Sequence, residues 1–146
     1  MSRISKWRGR VIDGGGTRRV SAAGKWTIAI PTHFEQIDNQ DSWQAYAGSR
    51  VIYVSALTVR ESDGMLTPIE SLRTTAVRTL AGSSGLRLTH SVDSLHGEAE
   101  VNREGAAWQL KGYMCAVGTI ATCVVDYPME EDFAWAVTTW RSLEYH

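Results

Sequence analysis

The sequence predicts an α+β fold, in which a single antiparallel sheet of about six strands carries two packed helices. Three observations predict it. From Leu95 to Val101 apolar or small residues recur at every second position, and the stretch to Tyr127 then reads as two successive hairpins. Thr67-Pro68-Ile69-Glu70 opens an amphipathic run, and Pro128 precedes a second one that ends at Leu143. Successive hairpins with helices between them build an α+β sheet rather than a parallel βαβ array.

In chain order, residues 1–24 are the segment that the pattern assigns least: Lys6 to Ile12 fits an edge strand and Gly14-Gly15-Gly16 a turn. Trp26, Ile28 and Ile30 alternate with Thr27 and Ala29, a half-buried strand that Pro31 ends. A polar connection follows, with a short strand at Phe34 to Ile37. Ser42 to Ala47 and Arg50 to Arg60 form a hairpin around Gly48-Ser49, a two-residue turn of the II′ kind. It places Trp43, Ala45, Ile52, Val54 and Ala56 on one face. Gln44, Tyr46, Val51, Tyr53 and Ser55 take the other. The second strand is apolar on both faces, which predicts a central position in the sheet.

Glu61 to Leu66 is a polar loop. Thr67 then serves as N-cap, Pro68 as N1 and Glu70 as N3 of a capping box. Ile69, Leu72, Ala76, Val77 and Leu80 form the buried stripe, Arg73 and Arg78 face outward, and Gly82 is the C-cap. A strand at Leu86, Leu88, His90 and Val92 leads into the central stretch.

There Leu95, Gly97, Ala99 and Val101 alternate with Glu98 and Glu100. A loop of Arg103 to Ala106 pairs Val101 with Trp108, Ala99 with Leu110, Gly97 with Gly112, Glu98 with Lys111 and His96 with Tyr113. A one-residue slip would move every side chain to the wrong face. A turn at Val117-Gly118 brings Ala121, Cys123, Val125 and Tyr127 onto the face of Trp108, Leu110 and Met114. Gly97 and Gly112 leave a shallow place where a helix could approach. Glu130, Glu131 and Asp132 fill the first turn of the closing helix, where the macrodipole favours negative charge. Its apolar stripe is Phe133, Val137 and Trp140, with Ala136 and Leu143 beside it.

The composition bounds the function. The chain has 146 residues, is 43% apolar and 21% charged, and carries a net charge of −1. These are values of an ordinary globule. Without repeats or linkers, residues 1–146 read as one α+β domain. No basic excess points to nucleic acid, and no run reaches the ~18 apolar residues of a membrane span. The basic N-terminus lacks the apolar core of a signal peptide. Cys115 and Cys123 fall on opposite faces, so two unpaired thiols suit a reducing, cytoplasmic setting.

The element order resembles the Mog1/PsbP-like fold, a group that includes small bacterial chaperones holding type VI secretion effectors. The likeness is carried by the strand GEAEVNREG, the hairpin WQLKGYMCAVGTIATCVVDY, the closing helix EEDFAWAVTTWRSL and the capped helix after TPIE. The first thirty residues, with their basic segment and GGG, depart from it. The resemblance implies the fold and a chaperone-like role; no site residue is carried over by it.

No chemical motif is complete. His33, in Thr32-His33-Phe34-Glu35, lacks the further Cys or His ligands of a zinc site. Asp13-Gly14-Gly15-Gly16-Thr17 lacks the Lys-Ser/Thr ending of a phosphate loop. Gly82-Ser83-Ser84-Gly85 lacks the spacing and context of a nucleophile elbow. Cys115 and His96 share a face, but a thiolate nucleophile needs an imidazole within hydrogen-bond reach and an orienting third group. Glu98 and Glu100 lie on one strand face, and a hydrolase pair would stand across a cleft. No cofactor or metal is therefore expected.

What remains is the second sheet face: His96, Glu98, Glu100, Gln109, Lys111 and Tyr113, joined by Tyr46 and Tyr53. Trp135 lies off the helix stripe, so it either widens the buried face or stands exposed as an interface anchor. Tyr-rich mixed surfaces suit protein recognition. The sequence thus predicts a non-enzymatic binding protein of the chaperone, adaptor or immunity-like kind. Its partner would be another protein, with a second copy of the chain among the candidates. The alternative is a small-molecule-binding or hydrolase-like protein using His33, His90 or His96 in a pocket.

Overall fold

The structure, a computed structural model, describes residues 16–39, 42–81, 87–94 and 96–146. In chain order the elements are β1 Thr17–Ser21, β2 Trp26–Pro31, β3 Glu35–Asn39, β4 Ser42–Ala47, β5 Arg50–Thr58 and α1 Ile69–Ala81. Then follow β6 Arg87–Ser94, β7 Gly97–Glu104, β8 Ala107–Ala116, β9 Thr119–Tyr127, α2 Phe133–Arg141 and β10 Glu144–Tyr145. One 3₁₀ turn, Glu130–Asp132, leads into α2. The expected edge strand at Lys6 to Ile12, Trp7, most of the glycine turn, the Gly82-to-Gly85 loop and Leu86 fall outside the described residues. No described helix is long and apolar enough to cross a membrane.

The described residues form two antiparallel sheets where the sequence predicts one of about six strands. A seven-stranded sheet runs β3-β4-β5-β9-β8-β7-β6, and a three-stranded sheet runs β1-β2-β10. The split follows from how β2 buries itself. Trp26, Ile28 and Ile30 join the core of the large sheet through their side chains, while the backbone of β2 pairs with Thr17–Ser21 and with Glu144–Tyr145. A two-residue strand such as β10 is too short to show any period, so its pairing leaves no trace in the sequence.

One face of the large sheet carries the main core. Trp43, Ile52, Val54, Val101, Trp108, Leu110, Cys123, Val125 and Tyr127 meet β2 and the buried Ala136, Val137, Trp140 and Leu143 at the C-terminal end. The other face carries a smaller core in which Leu72 and Ala76 of α1 cover Tyr113, Cys115 and Ile120. The arrangement is therefore helix, sheet, then helix plus small sheet. β5 lies between β4 and β9, the central place that its two apolar faces predict.

The β7–β8 register differs from the expected one by two residues. Ala99, not Gly97, faces Gly112, and Glu100, not Glu98, faces Lys111. The turn is Gly105-Ala106, two residues long, with Gly105 at φ +64°. A slip of two leaves every side chain on its face, so alternation alone is blind to it; only the turn length decides.

Gly112 is where a side chain, not a helix backbone, comes close. A Cβ there would stand 2.7 Å from Nε1 of Trp140 and 2.6 Å from Cβ of Ala99. The indole lies over the glycine and donates to the Tyr113 carbonyl oxygen at 3.1 Å. Thr67 has partners in the loop before α1. Its hydroxyl donates to Glu61 at 3.3 Å and its N–H to the Val59 carbonyl, which ties the loop to the start of α1.

Candidate functional site

The register of the seven-stranded sheet arranges its α1-side face into cross-strand rows. One row runs Ile37, Gln44, Tyr53, Val124, Lys111, Glu100. A second runs Glu35, Tyr46, Val51, Asp126, Gln109, Asn102 on the same face. Further along the strands, Leu57, Ile120 and Cys115 align, and there α1 begins to cover the sheet.

Away from α1 the face meets solvent. Ile37 is 42% exposed, Tyr53 39% and Leu57 57%. Gln44, Tyr46, Val51, Val124, Lys111 and Glu100 are half-buried between neighbours. Polar side chains along the margin are already partnered. The Tyr46 hydroxyl donates to Glu35 at 3.4 Å, and Gln109 Nε2 donates to Asp126 Oδ1 at 2.9 Å.

The expected surface is thus split. Tyr46, Tyr53, Lys111, Glu100 and Gln109 share the uncovered region with Ile37, Gln44, Val51 and Val124. Tyr113 does not: it is 1% exposed beneath α1, which corrects its place on an open face. Its hydroxyl donates to Glu98 Oε2 at 3.0 Å, the same oxygen that accepts from Arg73 Nη2 at 3.0 Å. Burial, reinforced by the Glu98 carboxylate, pushes the Tyr113 phenol up to about 12. Glu98 therefore ties α1 to the sheet instead of pairing with Lys111. His96 sits in the turn before β7, half-buried, and its carbonyl accepts from the Cys115 N–H at 2.9 Å; the expected cross-strand meeting with Tyr113 does not form.

Trp135 takes the first of its two expected roles. It packs against the main core, with its ring 5.8 Å from that of Phe34, and is no exposed anchor. His33 is exposed in the β2–β3 turn, edge-on to Phe34 at 5.2 Å. The side chain of His90 falls outside the described residues. Both thiols are free and buried, Cys115 under α1 and Cys123 in the main core.

Sequence reading missed the apolar part of the surface: Ile37, Val51, Leu57 and Val124. The hairpin pattern already placed Val51 on the right face. Nothing local said that no described element would cover it. It also missed a cleft of about 560 Å³ at the end of the sheet, lined by Ser49, Asn102, Ala106, Trp108, Gln109, Asp126 and Tyr127, among others.

No family model matches the chain, and no curated protein matches it. Solved structures do. A crystal structure from Bacteroides thetaiotaomicron VPI-5482 is similar with a TM-score of 0.60 and 15% identity, over 90% of this chain and 49% of that one, so the chain spans about half its length. The solution structure of cyanobacterial PsbP (CyanoP) from Synechocystis sp. PCC 6803 is similar with a TM-score of 0.59 and 10% identity, over 90% of this chain and 94% of that one. At such identities the likeness is one of fold: the chain has a PsbP/Mog1-like fold.

Proposed function

We propose that this PsbP/Mog1-like chain is a non-enzymatic protein-binding protein of the bacterial chaperone, adaptor or immunity-like kind, which grips its partner through the uncovered part of the seven-stranded sheet. One observation carries the reading: the row Ile37-Gln44-Tyr53-Val124 crosses four strands, with Ile37 and Tyr53 open to solvent and Gln44 and Val124 half-buried beside them. An antiparallel sheet tolerates one wet face, but a wet face is ordinarily polar. Exposed Ile37, Tyr53 and Leu57 beside half-buried Val51 and Val124, rimmed by Glu35, Lys111 and Glu100, are the pattern of a recognition surface. Tyr53 supplies a rigid, amphipathic contact at low entropic cost. The free, buried thiols suit a reducing compartment, and we place the protein in the cytoplasm.

The test is purification of the tagged chain from its host, alongside the double variant Tyr53→Ala, Lys111→Glu. Both side chains stand on the uncovered region, so the melting temperature should move by only a few degrees, as surface changes do. A stoichiometric partner should co-purify with the natural chain and be lost from the variant by about tenfold or more. A partner retained by the variant, or none with the natural chain, would sink the reading.

A further inference from the structure

We propose that the cleft at the end of the sheet is an anchor site for an arginine side chain presented by the partner protein; this rests on the protein-binding reading above. The cleft, about 560 Å³, lies where the β4–β5 turn at Ser49, the β7–β8 turn at Ala106 and Ala107, and Tyr127-Pro128 come together. That volume is within the roughly 300–1,000 Å³ of sites that take organic groups. Its polar lining, Asn102, Gln109 and Asp126, belongs to the cross-strand row that continues into Val51 and Tyr46. A protein lying on the uncovered face therefore reaches the cleft without leaving the sheet.

The charge of the site selects a cation. Asp126 is half-buried, and among the described residues its carboxylate meets only the neutral Gln109 amide, at 2.9 Å. Among the described residues, no basic side chain lines the cleft. The guanidinium groups on the adjoining turns are engaged elsewhere. Arg103 lies over the Trp108 ring at 5.1 Å with its Nε on the Gly105 carbonyl, and Arg50 is held by Asp132 at 2.9 Å. A half-buried carboxylate with no ion-pair partner among the described residues attracts a cation more strongly than one in open water.

The shape narrows the cation to a guanidinium. Asp126 Oδ2, Gln109 Oε1 and the Asn102 amide offer several acceptors in one place. A guanidinium brings five N–H donors in a rigid plane and no acceptor, whereas an ammonium is a compact point charge. Anions gain nothing here.

The probes need no knowledge of the partner: N-acetyl-arginine methylamide, its uncharged citrulline counterpart, and guanidinium chloride, each titrated into the labelled full chain by NMR. The arginine probe should shift the amide signals of Ala107, Gln109 and Asp126 saturably. Citrulline should bind about tenfold or more weakly. Asp126→Asn, which keeps the acceptor for Gln109, should weaken the arginine probe by about the same factor. Should that variant fold poorly, Ala106→Lys on the exposed turn supplies an internal competitor and should weaken it too. Equal binding of citrulline, no saturable shift at those amides, or insensitivity to these variants would overturn the proposal. Guanidinium ion binding as tightly as the arginine probe would overturn the peptide source, leaving a small free guanidine as the ligand. The capture test with Tyr53→Ala, Lys111→Glu is independent, so failure of one reading is distinguishable from failure of the other.

Discussion

At Gly112 a single hydrogen atom decides how two elements meet. The Trp140 indole occupies the space that any Cβ would fill, and Trp140 is completely buried. Gly112→Ala must push the ring or spread β7 from β8, an overpacking that costs roughly 1–3 kcal/mol. Urea unfolding should show that loss with an unchanged slope; a neutral substitution would mean that the indole has room to move. The thiols make a second residue-scale case. Burial pushes Cys115 up to about 11 and Cys123 up to about 12, from an ordinary 9.0. A group that folding holds protonated stabilises the native state fully below pH 9 and loses that contribution as pH rises through 11 to 12. Native protein at pH 8 should therefore resist iodoacetamide at both cysteines and react at both after denaturation. Rapid native alkylation of either would contradict the burial. Alternation in the sequence already placed the two thiols on opposite faces. It said nothing of the cover over Cys115, because a strand period records direction and not what lies beyond.

Among the elements, the β4–β5 hairpin and α2 are joined by one clamp. Arg50 donates to both oxygens of Asp132, from Nε at 2.9 Å and Nη2 at 3.3 Å. The Asp132 side chain is 9% exposed and that of Arg50 32%, so the two partners are not equivalent. Arg50→Ala strands a buried carboxylate and should cost about 2 kcal/mol, below the range for fully buried pairs because the arginine end is wet. Asp132→Asn leaves a guanidinium that water still reaches, and should cost about half as much. Equal costs in thermal unfolding would count against this asymmetry. The acidic residues before α2 read from the sequence as dipole partners, and Asp132 proves to be a tertiary ligand instead. The β7–β8 hairpin teaches the same lesson. Its faces were legible and its register was not, since the two-residue turn at Gly105-Ala106 and the four-residue alternative sort side chains identically.

For the molecule as a whole, the two faces of the large sheet are covered by different elements. One core is shared with β2 and α2. On the other face, among the described residues, Leu72 and Ala76 of α1 lie over Tyr113, Cys115 and Ile120, together with the Arg73–Glu98–Tyr113 cluster. In the first two turns of α1 Leu72 is buried and Ile69 half-buried, and few buried apolar contacts mean cheaper local opening. Amides in the first two turns of α1 should exchange with deuterium well before those of β8 and β9, and equal protection would refute a separable α1. Within this chain the sequence by itself determined the strands from β2 to β9 and both helices, the inward residues of each hairpin and the central place of β5, because those properties are written in local periods of two and 3.6 residues, whereas β1 and β10 went unread. Only the tertiary structure decided that β2 leaves the large sheet for a small one, that α1 buries Tyr113 while Tyr53 stays open, and that Asp126 ends in a cleft. Those outcomes depend on which distant element covers a face. A period reports only that a face exists.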